Sequence, residues 1–98
     1  MHTISDGTAT DREILEFIGQ RLEALREARR LTQSEAAERA GLGRNTLYHA
    51  EKGGNPTLLT LVRLLRVYGE MAALESFIPP PEISPMARLK VRKGKSRG

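Results

Sequence analysis

Leu31–Gly53 reads LTQSEAAERAGLGRNTLYHAEKG, and the boundaries of two short helices fall inside it. Thr32 followed by Glu35 has the capping-box spacing. The threonine hydroxyl can accept from the third helical amide while the glutamate carboxylate accepts from the threonine amide, so a helix starts at Gln33. Gly41 ends it, because the residue beyond a helix end favours the left-handed conformation that glycine adopts without strain. Ala36, Ala37 and Ala40 leave this helix a face with almost no bulk, against which another helix can pack closely. After Gly41-Leu42-Gly43, a further helix runs about Arg44 to Lys52 and ends at Gly53-Gly54.

Upstream, Asp11 can cap a helix, and Ile14, Ile18, Leu22 and Leu25 then recur at spacings of four, four and three through to about Arg29, one apolar helical face. Residues 1–10 are small and polar with no period and read as a flexible leader. Downstream, Asn55-Pro56 is a turn and Thr57 a cap. Leu58, Leu61, Leu64, Leu65 and Tyr68 mark a fourth helix that Gly69 ends. A fifth, about Glu70 to Ile78, carries Met71, Leu74, Phe77 and Ile78 on one side, and Pro79-Pro80-Pro81 forbids more. The body shows no strand pattern. The reading is a compact five-helix all-α domain over residues 11–78, then a Pro-rich and basic tail over 79–98. In the tail, Ser84-Pro85 suits a short helix and Arg88–Arg92 alternates like an edge strand; the sequence does not choose.

The second helix of the opening stretch carries the chemistry. At 100° per residue, Arg44, Asn45, Tyr48, His49 and Lys52 fall within one arc of roughly 140°, with Leu47 and Ala50 opposite and Glu51 at the border. Arg can bridge guanine O6 and N7, Asn can pair with adenine N6 and N7, His can donate or accept, and Tyr can touch a thymine methyl or a phosphate. A solvated polar face is the competing reading for such a stripe taken alone. The helix opening at Thr32-Gln33 tips the balance, since its free amides and positive dipole end suit a phosphate. A three-residue turn then holds the following helix at a steep angle, so that its stripe projects from the body.

Ile18–Gly69 resembles the phage-repressor/Cro-like helix-turn-helix family of transcription regulators. The resemblance rests on Leu31-Thr32-Gln33, the Ala40-Gly41 turn, Glu51 with Gly53 closing the reading helix, and Asn55-Pro56. It implies a lambda-repressor-like fold, double-stranded DNA as partner, and base contacts from Arg44, Asn45 and His49, with Tyr48 beside them. Gln33 corresponds to a residue that touches phosphate and supports the first reader; Thr32, Thr46, Lys52 and Asn55 are the further phosphate-contacting or supporting candidates. The resemblance also pairs Arg26 with Glu51, a pairing the residues themselves favour, because an unneutralised Glu51 would repel phosphates. The sequence departs from the family at Gly43, where a Ser or Thr cap is usual, and at Ala36, where a larger apolar residue is common. Without that cap, Asn45 either caps the helix or reads a base.

Charge and composition bound the rest. Residues 1–81 hold ten Lys/Arg against eleven Asp/Glu, and residues 82–98 hold six Lys/Arg against Glu82 alone, so the basic character is a tail. That tail is either a solvated end or an arm for a partner. Short members of the family this chain resembles that carry extra C-terminal tails often resemble antitoxins, so the resemblance implies, as the alternative function, an antitoxin that neutralises a toxin while repressing its own operon. The chain has no cysteine, no secretory leader and no long apolar run, which points to a soluble, cytoplasmic protein. His2 and His49 lack metal-ligand spacing, Gly41-Leu42-Gly43 is a turn rather than a phosphate loop, and neither an enzyme nor a cofactor is expected. A core this small favours self-association. Met71, Leu74, Phe77 and Ile78 are either a homodimer interface or core packing; Arg29 and Arg30 either suit the dipole at a helix end or contact phosphate.

Overall fold

The computed structural model describes residues 4–82. A 3-10 turn, Ile4–Asp6, precedes five α-helices: α1 Asp11–Ala28, α2 Gln33–Ala40, α3 Arg44–Glu51, α4 Leu58–Val67 and α5 Met71–Glu75. Among the described residues there is no strand. Ser84-Pro85 and Arg88–Arg92, the two candidate elements of the tail, lie outside them.

Threonine opens three of the helices. Thr10 caps α1 with a reciprocal box to Glu13, Thr32 does the same for α2 with Glu35, and the Thr57 hydroxyl accepts from the Thr60 amide at 3.1 Å. The cap of α1 is thus Thr10 rather than the expected Asp11, because only Thr10 stands three residues before a glutamate whose Oε1 takes its amide, at 2.8 Å. Ahead of it, the Asp6 carboxylate accepts from the Thr8 amide and hydroxyl at 2.9 and 2.7 Å.

The first four helices end alike. In each, the amide that follows a left-handed residue bonds back to the carbonyl five residues earlier: Leu31 to Arg26, Leu42 to Ala37, Gly54 to His49 and Glu70 to Leu65. This is the Schellman closure, and it needs a left-handed residue just past the cap. Gly41, Gly53 and Gly69 fill three of those positions at φ of 70–83°, but α1 ends on Arg30, at φ 57°. A left-handed non-glycine residue costs about 1–2 kcal/mol, part of which glycine returns as unfolded-chain entropy. Arg30→Gly is therefore expected to raise the unfolding free energy by about 0.5–1 kcal/mol, read from the urea midpoint at unchanged slope.

The core is Leu22, Leu31, Ala36, Ala37, Ala40, Leu47, Ala50, Leu64 and Tyr68. The three alanines of α2 let it lie against both α3 and α4, while α1 packs on the other flank of α3. Leu58 departs from expectation. It is 60% exposed, because the buried side of α4 runs through Thr60, Leu64 and Tyr68, and Leu58 lies about 120° round the helix from Leu64. The fifth helix is also shorter than its apolar pattern suggests. The Ser76 hydroxyl donates to the Ala73 carbonyl at 3.2 Å, and the prolines from 79 onward have no amide to carry the ladder further. Within α1, Gly19 is buried; glycine inside a helix costs about 0.5–1 kcal/mol relative to alanine, so its place there calls for a packing reason.

Candidate nucleic-acid interface

α3 is a two-faced helix of eight residues. Leu47 and Ala50 are buried against the core and Glu51 joins them, whereas Arg44, Asn45, Thr46, Tyr48, His49 and the following Lys52 are exposed. The stripe has internal order: the Tyr48 and His49 rings meet edge to face at 5.5 Å, and Lys52 Nζ stands 5.6 Å from the centre of the Tyr48 ring. A tyrosine clasped on both sides loses less rotamer freedom when it meets a ligand.

The start of α3 is unlike the starts of α1, α2 and α4. Its cap is Gly43 and no side chain bonds its first amides, so Asn45 does not serve as cap. The carboxamide of Asn45 is therefore not spent on the helix end. Of the other candidates, Thr32 has its hydroxyl oxygen accepting from the Glu35 amide, and Asn55 is exposed in the left-handed region at φ 56°, which asparagine tolerates.

What holds α3 is a buried pair. Arg26 Nε donates to Glu51 Oε2 at 2.7 Å and its Nη2 to Oε1 at 3.1 Å, a bidentate fork, while Nη1 donates to the Leu31 carbonyl at 2.8 Å. The hydrogen bond to Glu51 raises the Arg26 pKa above its ordinary value, against the opposing effect of burial. Removing an ion pair from water costs several kcal/mol per ion, and bidentate geometry with every remaining donor satisfied is the condition under which attraction offsets that cost. Arg26 is the last basic residue of α1, so one side chain ties the end of α1, the start of α2 through Leu31, and the end of α3. Glu35, by contrast, is an exposed carboxylate whose pKa is lowered, first by its hydrogen bond from the Thr32 amide.

The pair extends outward. Gln33 Nε2 donates to Glu51 Oε1 at 3.1 Å, which fixes the carboxamide so that its oxygen faces Arg44, whose Nη2 lies 3.5 Å away. Arg26, Glu51, Gln33 and Arg44 thus form one file from the core to the exposed stripe. One donor of Gln33 is occupied inside the protein, a commitment that sequence spacing of 18 residues does not reveal.

Tyr68 sits beneath this file, fully buried, and its hydroxyl has no hydrogen-bond partner among the described residues. Burial, with the negative charge of Glu51 adding to it, pushes the phenol up to about 12. The remaining sequence candidates lie elsewhere: Met71, Leu74, Phe77 and Ile78 are at the α5 end, with Phe77 57% and Ile78 76% exposed and Leu74 half-buried. Among the described residues no cluster of side chains could hold a metal ion, and no helix is long and apolar enough to cross a membrane.

The site is a pair of short helices joined by a tight glycine turn, the second anchored by its apolar edge and open along its polar one. No curated relative matches the chain. The family model described as helix-turn-helix, of Cro/C1 type, matches residues 22–71, half of the chain and the span that holds α2, α3, α4 and the Arg26–Glu51 pair. By that match and by its all-helical fold, the chain belongs to the Cro/C1-type helix-turn-helix family of DNA-binding transcription regulators.

Proposed function

We propose that the protein is a repressor that binds a near-palindromic operator as a homodimer, with α3 of each protomer in successive major grooves about 34 Å apart. Arg44, Asn45, Tyr48 and His49 meet base edges in this reading, while Thr32, Gln33, Thr46, Lys52 and Asn55 meet or support contacts to the sugar–phosphate backbone. The observation that carries it is the pairing of an exposed stripe rich in planar hydrogen-bonding groups with a buried ion pair that fixes the helix bearing it. A merely solvated face gains nothing from such an anchor. Asn45 counts among the readers because no capping bond occupies it.

The domain division follows: residues 11–78 bind DNA, residues 1–10 lead in, and residues 79–98 form an appended arm. Met71, Leu74, Phe77 and Ile78 supply the dimer contact, since Met71, Phe77 and Ile78, exposed beside the half-buried Leu74, gain by association. The test is selection of binding sites from random DNA, with the protein's own upstream region as a control; failure to enrich any motif sinks the reading. On the selected site, Arg44→Ala is expected to cost about 1–3 kcal/mol and to relax preference at one position, a guanine. Equal weakening on all sequences would instead make Arg44 a backbone contact.

A second reading, an antitoxin that holds a toxin while repressing its own operon, is favoured by one observation. Phe77 and Ile78 stay exposed where the chain enters Pro79–Pro81 and the tail, a suitable root for a partner-binding arm. Deleting residues 79–98 separates the two: loss of a co-purifying partner with DNA binding kept supports the antitoxin, and loss confined to DNA affinity removes it.

A further inference from the structure

The packing reason for Gly19 lies in α3. A Cβ placed on Gly19 would stand 2.5 Å from the Glu51 carbonyl oxygen, 2.8 Å from that of Ala50 and 2.8 Å from the Glu51 carbonyl carbon. All three are main-chain atoms, which cannot rotate away as a side chain can. A second glycine meets α1 one turn earlier: a Cβ on Gly53 would lie 3.1 Å from Glu16 Cγ and 3.2 Å from the Glu16 amide nitrogen. Gly53 is required for its φ of 83° in any case. Gly19, inside a regular helix, has no such duty, so its lack of a side chain serves the contact alone.

Glu51 is therefore held at two levels on one helix. Its carboxylate is gripped by Arg26, and its main chain rests in the gap at Gly19, seven residues or two turns earlier along α1. The first fixes the azimuth of α3 and the second fixes how deeply its end sits. We propose that Gly19 is a positioning residue for DNA recognition: the depth it permits sets the tilt of α3 and so the aim of Arg44 and Asn45. The proposal rests on the reading of α3 as the base-reading helix.

The leverage can be sized. Relieving the contact at an added methyl group requires the end of α3 to retreat by about 1 Å, roughly the gap between the built distance and ordinary van der Waals contact. Leu47, fully buried, is the fulcrum, about 6 Å from Glu51 at 1.5 Å of rise per residue. A retreat of that size tilts the helix by about 10° and swings Arg44, on the far side of the fulcrum, by somewhat under 1 Å at the backbone and more at the guanidinium. Paired hydrogen bonds to a base edge tolerate misplacement of about 0.5 Å. The displaced helix stays folded and exposed, with its specific contacts out of reach.

The experiment compares the full chain with Gly19→Ala on the motif selected by the wild type and on random-sequence DNA, at a temperature where circular dichroism shows both folded. The expected result is a loss of tenfold or more in the ratio of specific to non-specific affinity. In addition, Arg44→Ala is expected to cost much less in the Gly19→Ala background than in the wild type, a coupling that a loss of stability alone does not produce. A folded Gly19→Ala chain that keeps the wild-type ratio, or in which Arg44→Ala costs as much as before, overturns the proposal. If Gly19→Ala does not fold, the same change is made in the Arg30→Gly background; a chain unfolded there too makes Gly19 a requirement of the fold rather than of aim, and also overturns it. A wild-type chain that selects no motif fails earlier, at the reading of α3, and takes the proposal with it.

Discussion

Replacing Glu51 with alanine is expected to lower the unfolding free energy by about 3–5 kcal/mol, the range for removing one partner of a buried ion pair. Arg26, nearly buried, keeps the Leu31 carbonyl as hydrogen-bond acceptor and the part-exposed Glu23 carboxylate, 3.9 Å from Nη2, as a distant counter-charge, while its Nε and Nη2 lose their bonds to Glu51. Gln33 loses its anchor in the same step. Since domains of this size are stable by about 5–15 kcal/mol, a large part of the fold is at stake. The paired replacement Arg26→Met with Glu51→Leu is expected to recover most of the loss, because it removes both desolvated charges and fills the space with apolar groups. Urea unfolding of the three chains measures this, and a loss below about 1 kcal/mol for Glu51→Ala would mean that water reaches the pair.

Leu47→Ala is expected to cost about 3–5 kcal/mol by the same measurement, although the chemical change is common. Leu47 is one of the largest fully buried side chains, and Ala50 is the sole other apolar anchor of α3. With it gone, α3 is held chiefly by the Arg26–Glu51 fork, and its amides are expected to exchange with solvent faster than those of α1. Leu58→Ala and Leu59→Ala make the internal comparison. Both leucines are more than half exposed, at 60% and 57%, and the same truncation there is expected to change stability by about 0.5 kcal/mol or less. If all three cost alike, the division of α3 and α4 into inner and outer faces is wrong.

The helix starts and stops were the most legible part of the sequence, because they depend on a few neighbouring residues. Thr32 with Glu35, Gly41, Thr57 and Gly69 each announce a boundary through local hydrogen bonding or a left-handed backbone, and the helices begin and end there. At the start of α1 the sequence pointed to Asp11, and the reciprocal bond between Thr10 and Glu13 sets the cap one residue earlier. What stayed hidden is relational. Leu58 looks like a core residue until the azimuth of α4 is fixed by Thr60, Leu64 and Tyr68. Arg30 gives no sign of a left-handed backbone, because the amides that close α1 override its own preference.

The site divides the same way. The stripe on α3 follows from helical periodicity alone, and the freedom of Asn45 from a cap is a matter of geometry that sequence left open. The meeting of Arg26 with Glu51 came from the family resemblance and from the need to neutralise a carboxylate; the part of Gln33 in the same file, 18 residues from Glu51, came from the fold. Gly19 was legible in principle, as was the Thr10–Glu13 spacing: a glycine in the middle of a strongly periodic helix costs stability and so points to a packing reason.

The file from Arg26 to Arg44 also places two kinds of electrostatics on one short helix. The pair at its inner end is buried, and mobile ions screen such contacts weakly. Contacts between exposed cations such as Arg44 and Lys52 and a nucleic acid work by releasing condensed counterions, and they weaken steeply as salt rises. Raising the ionic strength therefore acts on the outward side of α3 and spares the inward one. On the proposed reading of α3, salt is expected to wash the protein from DNA while that helix stays in place, ready to bind again when the salt falls.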